Sequence, residues 1–289
     1  MNQPLSRRVS VDSGLDLHVL EWGSERPELE HSVVLVHGFL DLAWGWDDLV
    51  RAGLFERFHV IAFDQRGHGD SDRIGPGGYY HFMDYVADLA SLLDRVSRQR
   101  LSLVGHSMGG TVVSYYAGAF PDRVAKLALL EGVGPPEDSS DLPERARHWI
   151  GSWAKARSKT PRAYADVAAA ARRLQEQDAK LNPELALLLA ERGTRELPDG
   201  RRVFKHDPLH LTRGPYPFRS SSARAFWERI SCPVLLVEGS ESPFQFLAGR
   251  EERLATFRDA RTHVIAGAGH MLQRHAPDEL CRVLTEFLG

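Results

Sequence analysis

The stretch LVGHSMGG, Leu103 to Gly110, decides how the chain is read. An apolar, strand-like run, LSLVGHS, ends in the turn Gly105-His106-Ser107-Met108-Gly109, and a helical pattern starts at Met108. This is G-x-S-x-G in the context it needs. Small residues flank the serine because a strained strand-to-helix turn brings two backbone segments together and lifts the hydroxyl into view. The helix start behind Ser107 adds free N–H groups and the positive end of the peptide dipoles. The bland alternative is a Gly-rich turn with an ordinary exposed serine; the strand before it and the helix after it favour a nucleophile.

Working outward, SVVLVHGF, FHVIAFD, VAKLALLEG, CPVLLVEG and RTHVIAGAGH are further apolar runs of strand length. Such runs suit strands covered on both faces. Between them lie helical patterns at Trp46–Glu56, Asp84–Arg98 and Met108–Ala119, the second with Val86, Leu89, Leu93 and Val96 on one face. Alternating strand and helix predicts an α/β fold, a mostly parallel sheet with helices on both faces. At the start, RRVSVDS and LDLHVLEWG alternate in polarity around Ser13-Gly14, which predicts a hairpin. The alternation stops between Gly134 and about Arg229, where Leu142–Lys155, Arg162–Gln177 and Pro183–Arg192 read as helices without strands. The expected organisation is a core of residues 1–134 and 230–289 with a helical cap at 135–229.

Composition narrows the function. At 289 residues the chain is long enough to bury a catalytic site. Its formal charge of −3 mixes both signs, so it lacks the basic footprint of a nucleic-acid binder and points to a small-molecule partner. Arg7 and Arg8 are not followed by an apolar segment, and no run of 18 apolar residues occurs, so no membrane association and a cytoplasmic location are expected. Cys232 and Cys281 read as buried reduced thiols. No cofactor or metal is called for. His206 and His210 in HDPLH have a metal-like spacing, but Pro208 prevents one helix from presenting both, and a surface turn is expected.

Acyl transfer also needs two N–H donors for the oxyanion and a general base. The donors fall to Met108, after the nucleophile, and to Phe39, in VHGF at the end of an earlier strand. The base falls to His270 in GAGHM, late in the chain on a Gly-flanked loop, in the order nucleophile, acid, histidine. His275 is the competitor and is expected to be solvated. Trp44, Trp46, Trp149 and Trp153 are the candidate pocket aromatics, although the last two also suit packing within the cap. Asp64 and the loop Gln65–Asp72 read as fixing turn geometry.

Through VHGF, FDQRGHGDSD, GHSMGG and GAGH the chain resembles the α/β-hydrolase superfamily over nearly its whole length. HGFLDLAWGW and LLEGVGPP are similar to counterparts in its serine-hydrolase-like branch. The resemblance implies an eight-stranded core, a helical cap and ester-type hydrolysis. It also implies an acid in the loop after PVLLVEG, but that loop reads Gly239-Ser240-Glu241-Ser242-Pro243, with Ser242 at the usual acid position. Some members carry the acid one strand earlier, and Glu131, at the end of VAKLALLEG, stands there. Glu131 is favoured, with Glu241 and Glu238 left as alternatives; Ser242 then reads as a vacated position whose loss should barely change turnover.

The reading is therefore a serine hydrolase of small or medium carboxylic esters, with Ser107, His270 and Glu131 as a triad and a partly apolar substrate. Lactonase, C–C hydrolase and cofactor-free peroxidase activities remain on the same scaffold, as does a weakly catalytic sensor of a small ligand. A serine nucleophile speaks against haloalkane dehalogenase and epoxide hydrolase chemistry, which resemble this fold but use aspartate.

Overall fold

The computed structural model describes residues 3–158 and 160–289, apart from the side chain of Arg157. Eight strands form one sheet in the order β1-β2-β4-β3-β5-β6-β9-β10. They are β1 (Leu5–Ser10), β2 (Asp16–Trp22), β3 (His31–Val36), β4 (His59–Phe63), β5 (Arg100–His106), β6 (Lys126–Leu130), β9 (Val234–Gly239) and β10 (Ala260–Ile265). The β1–β2 and β2–β4 pairs are antiparallel, as the Ser13-Gly14 hairpin requires, and every other pair is parallel.

The apolar runs work because successive side chains point to opposite faces of a sheet. Val33, Leu35, Val104, Ala128, Leu130, Leu235 and Val237 join one buried cluster. Their neighbours Val34, Val36, Leu103, Leu127, Leu129 and Leu236 join a second on the other face. The helices Phe82–Val96 and Met108–Ala119 contribute to the second cluster, and Pro277–Leu288 to the first. Cys232 and Cys281 are both free and buried.

Two expected elements differ. The helix expected over Trp46–Glu56 is a broken run of tight, regular and wide turns, because Gly53 adopts φ +124° inside it. The segment after β6 is not purely helical. Beside the helices Leu142–Ser158, Val167–Gln177 and Pro183–Gly193, it contains a short antiparallel pair, β7 (Thr194–Glu196) and β8 (Arg202–Phe204). Asp166 and Asn182 cap the second and third of these helices, accepting from the N–H groups of Ala169 and Leu185.

The return to the core also comes earlier than residue 230. The helix Ser220–Trp227 already lies on Met108–Ala119, with the Trp227 indole N–H donating to Ser114 Oγ at 3.0 Å. The two backbones approach so closely that any side chain at Gly118 would collide with Phe226.

Candidate active site

Register brings the functional loops to one edge of the sheet. Val36 pairs with Gly105, His106 with Leu130, and Leu130 with Val237, so β3, β5, β6 and β9 end level with one another. The crevice beyond such parallel strand ends is where open α/β sheets hold ligands. Among the described residues three non-glycine positions have positive φ: Leu40 (+57°), Ser107 (+51°) and Glu131 (+53°). All three follow strands at this edge, and backbone strain of this kind concentrates where a site demands it. The glycines around Ser107 are explained by contact. A Cβ at Gly105 would strike Gly109, one at Gly109 would strike Val36 and His37, and one at Gly110 would strike Gly132.

Glu131 is oriented from both sides. Its Oε1 accepts from the Gly239 N–H at 2.8 Å, and its Oε2 accepts from the Ser242 hydroxyl, also at 2.8 Å. The same Oε2 faces His270 Nδ1 at 3.8 Å, an ion-pair distance longer than a hydrogen bond. The carboxylate is buried, and His270 Nδ1 has no other partner among the described residues. Ser242 is therefore not an idle position; it holds the carboxylate. The other two carboxylates are engaged elsewhere. Glu238 pairs with Arg250, whose Nε donates at 2.8 Å, and Glu241 is exposed and pairs with Lys180 at 2.5 Å.

His270 is fixed by neighbours that the sequence did not single out for this role. Its backbone carbonyl accepts from His106 Nε2 at 2.8 Å, and its ring stacks on Phe244 with centroids 4.6 Å apart. Burial, reinforced by the nearby charge of His270, holds the His106 imidazole far below its ordinary pKa, so it stays neutral and can donate from Nε2. His275 is not solvated, contrary to the expectation from its position before Pro277. Its Nδ1 accepts from the Gly269 N–H at 3.0 Å, and its Nε2 lies 2.8 Å from Asp178. It braces the His270 loop. Only its adjacency to GAGHM hinted at that.

A cavity of about 590 Å³ opens over Ser107, Met108, Phe39 and Glu131. Neither the Phe39 nor the Met108 N–H has a partner among the described residues. The remaining wall is largely aromatic, including Phe82, Tyr115, Phe218 and Phe226. The four tryptophans lie elsewhere. Trp44 and Trp46 are buried in the cluster beneath the helices Val167–Gln177 and Pro183–Gly193, with Arg192 over the Trp44 ring. Trp149 and Trp153 stack on each other and against Tyr79. Tryptophan is an apolar body with a single polar atom, so burial in a core satisfies it as well as a pocket does.

Two further groups settle differently from a metal site. His210 is buried, with its ring between those of Tyr80 and His68 at 3.9 and 4.2 Å, so HDPLH is not a surface turn. Among the described residues His18, Asp64 and Asp70 have a metal-like spacing, but His18 Nδ1 already bonds Asp64 at 2.7 Å. Asp64 also accepts from the N–H groups of Ala43 and Asp70, tying the end of β4 to the Phe39 loop.

The family model described as "alpha/beta hydrolase fold" matches residues 31–275, most of the chain. The chain belongs to the α/β-hydrolase family. Within it, the similarity reaches the serine-hydrolase-like branch. A serine hydrolase-like protein of Danio rerio is 27% identical over 92% of this hydrolase and 83% of its own length. The esterase YbfF of Escherichia coli is 28% identical over 89% of this chain and 92% of its own. The thioesterase domain from the curacin biosynthetic pathway superposes with a TM-score of 0.86 at 24% identity, over 98% of this chain and 100% of that one, and bears on the fold alone. Among the described residues no helix of this hydrolase is long and apolar enough to cross a membrane.

Proposed function

We propose that this hydrolase cleaves small or medium carboxylic esters with an apolar portion, through an acyl-enzyme on Ser107. The observation that carries this reading is the Glu131 carboxylate, buried and held by Gly239 and Ser242, facing an otherwise unpartnered His270 Nδ1. Ser107 Oγ attacks the carbonyl carbon while His270 Nε2 takes its proton. Glu131 accepts from Nδ1–H and stabilises the imidazolium; the 3.8 Å separation shortens as that charge forms, since catalytic contacts are often long before substrate binds. The Phe39 and Met108 N–H groups receive the oxyanion.

Collapse of the tetrahedral intermediate breaks the ester C–O bond, and the leaving alcohol carries away the proton from His270. Water then attacks the acyl group with His270 as base, which frees the acid and restores Ser107. The aromatic wall of the large cavity supports an apolar acyl group. Residues 135–219 serve as a cap over the core, which resumes at the helix Ser220–Trp227 rather than at residue 230.

A fluorophosphonate probe followed by peptide mapping tests this directly. The adduct belongs on Ser107, and folded protein that leaves Ser107 unlabelled overturns the reading.

A further inference from the structure

A second cavity, of about 290 Å³, shares Phe39 with the large one. Its wall is more polar, and includes Asp41, Asp178, Gly193, Met271 and Arg274. We propose that this small cavity receives the leaving alcohol of the ester, and that the alcohol carries a further neutral oxygen group such as a hydroxyl. The inference rests on the ester-hydrolase reading above.

The division follows from where each product half must go. The acyl group stays bonded to Ser107, which lines the large cavity. The alcohol takes its proton from His270, and the next residue, Met271, lines the small one.

The chemistry of the wall defines the ligand. The Arg274 side chain is 9% exposed; its Nη2 donates to Asp41 at 2.5 Å, while its buried Nε has no partner among the described residues. Asp178 accepts through Oδ1 from His275 at 2.8 Å and from the Lys180 N–H at 3.2 Å, while its buried Oδ2 has none. One donor and one acceptor are thus left over on two wall residues, and a hydroxyl satisfies both kinds at once. Both atoms are shielded from water, so a ligand meets them through a rotation of either side chain. Asp41 already opposes the Arg274 charge and Asp178 lies beside it, so an anionic group gains nothing here. Burial keeps the remaining basic group of the wall, His206, below its ordinary pKa and neutral.

The test compares 2-hydroxyethyl butyrate with propyl butyrate, which share an acyl group and differ in one terminal atom. Wild type should favour the hydroxylated ester by about tenfold in kcat/KM, the value of a hydrogen bond to a charged group. Gly193→Leu should bring the ratio to about one. Only Leu42 methyl carbons, at 3.8 Å, approach a Cβ at Gly193, so the new side chain has room to enter the cavity. Asp178→Asn, which keeps the shape, should also reduce the ratio. Because the readout is a ratio, partial unfolding does not imitate the effect.

A wild-type ratio near one with both esters turned over overturns the inference and leaves ester hydrolysis standing, as does a ratio that survives Gly193→Leu. If neither ester is cleaved, the ester reading itself fails, and binding decides the cavity. Ligand-observed NMR with N-(2-hydroxyethyl)butyramide and N-propylbutyramide should then show tighter binding of the hydroxylated amide in wild type, lost in Gly193→Leu. Equal binding of the two amides by wild type overturns it.

Discussion

At the scale of single residues, the site turns on one carboxylate shared among three donors. Gly239 N–H and Ser242 O–H hold Glu131, leaving its Oε2 also facing His270. Glu131→Gln keeps the size but loses the charge that orients and stabilises the imidazolium, and kcat should fall about 10⁴-fold with KM little changed. Steady-state kinetics beside Glu241→Gln, which should stay within about twofold of wild type because Glu241 is exposed, checks the assignment. Equal losses in the two variants would return the acid to the loop after β9. Ser242→Ala should lower kcat about tenfold, since a hydrogen bond to a charged group is worth about 1.5–3 kcal/mol, and Ser242→Thr should recover part of it. Wild-type turnover in Ser242→Ala would show that the hydroxyl is dispensable. Ser107 and His270 were legible because Gly-flanked turns at strand ends leave few alternatives. The partner role of Ser242 was not, because it joins loops 111 positions apart that only the β6–β9 pairing brings together.

At the scale of elements, close approach explains the glycines better than local conformation does. Gly118 lies where the helices Met108–Ala119 and Ser220–Trp227 touch backbone to backbone, so Gly118→Ala should destabilise the protein by about 1–3 kcal/mol. Gly151, in the helix Leu142–Ser158, faces open space, with no atom within 4 Å of where a Cβ would project, so Gly151→Ala should stabilise by about 0.5–1 kcal/mol through helix propensity. Urea unfolding of the two variants should shift in opposite directions, and a shared direction would contradict the packing argument. The sheet was legible because strands buried on both faces must be apolar throughout. The β7–β8 pair was not, because three-residue strands are too short to show a period of two. The pocket aromatics were misplaced for a related reason: aromatic content says that a side chain is buried, not which cavity it faces. Phe82, Tyr115 and Phe226 reach the large cavity from helices whose apolar faces read only as core.

At the scale of the molecule, the chain commits several histidines to the interior in their neutral form. Burial lowers His31 to about 4, with Arg100 and Lys126 adding repulsion, and burial likewise brings His210 to about 4. His68 and His106 are also pushed far down, chiefly by burial. An unfolded histidine titrates near 6.5, so between about pH 6.5 and 4 the unfolded chain binds protons that the folded chain refuses. Stability therefore falls as pH drops through 6.5 and is regained above it. Carboxylates act in a lower window. Glu21, Asp64 and Asp178 are each raised by burial but brought below their ordinary values by histidine or arginine partners, so their contribution is lost only as pH falls below about 4. Calorimetric Tm should thus decline between pH 7 and 5, before any carboxylate is protonated. The measurement is independent of catalysis, where protonation of His270 would stop turnover without unfolding the chain. A Tm that stays flat from pH 7 to 5 would mean that the folded interior accepts these protons as readily as water does.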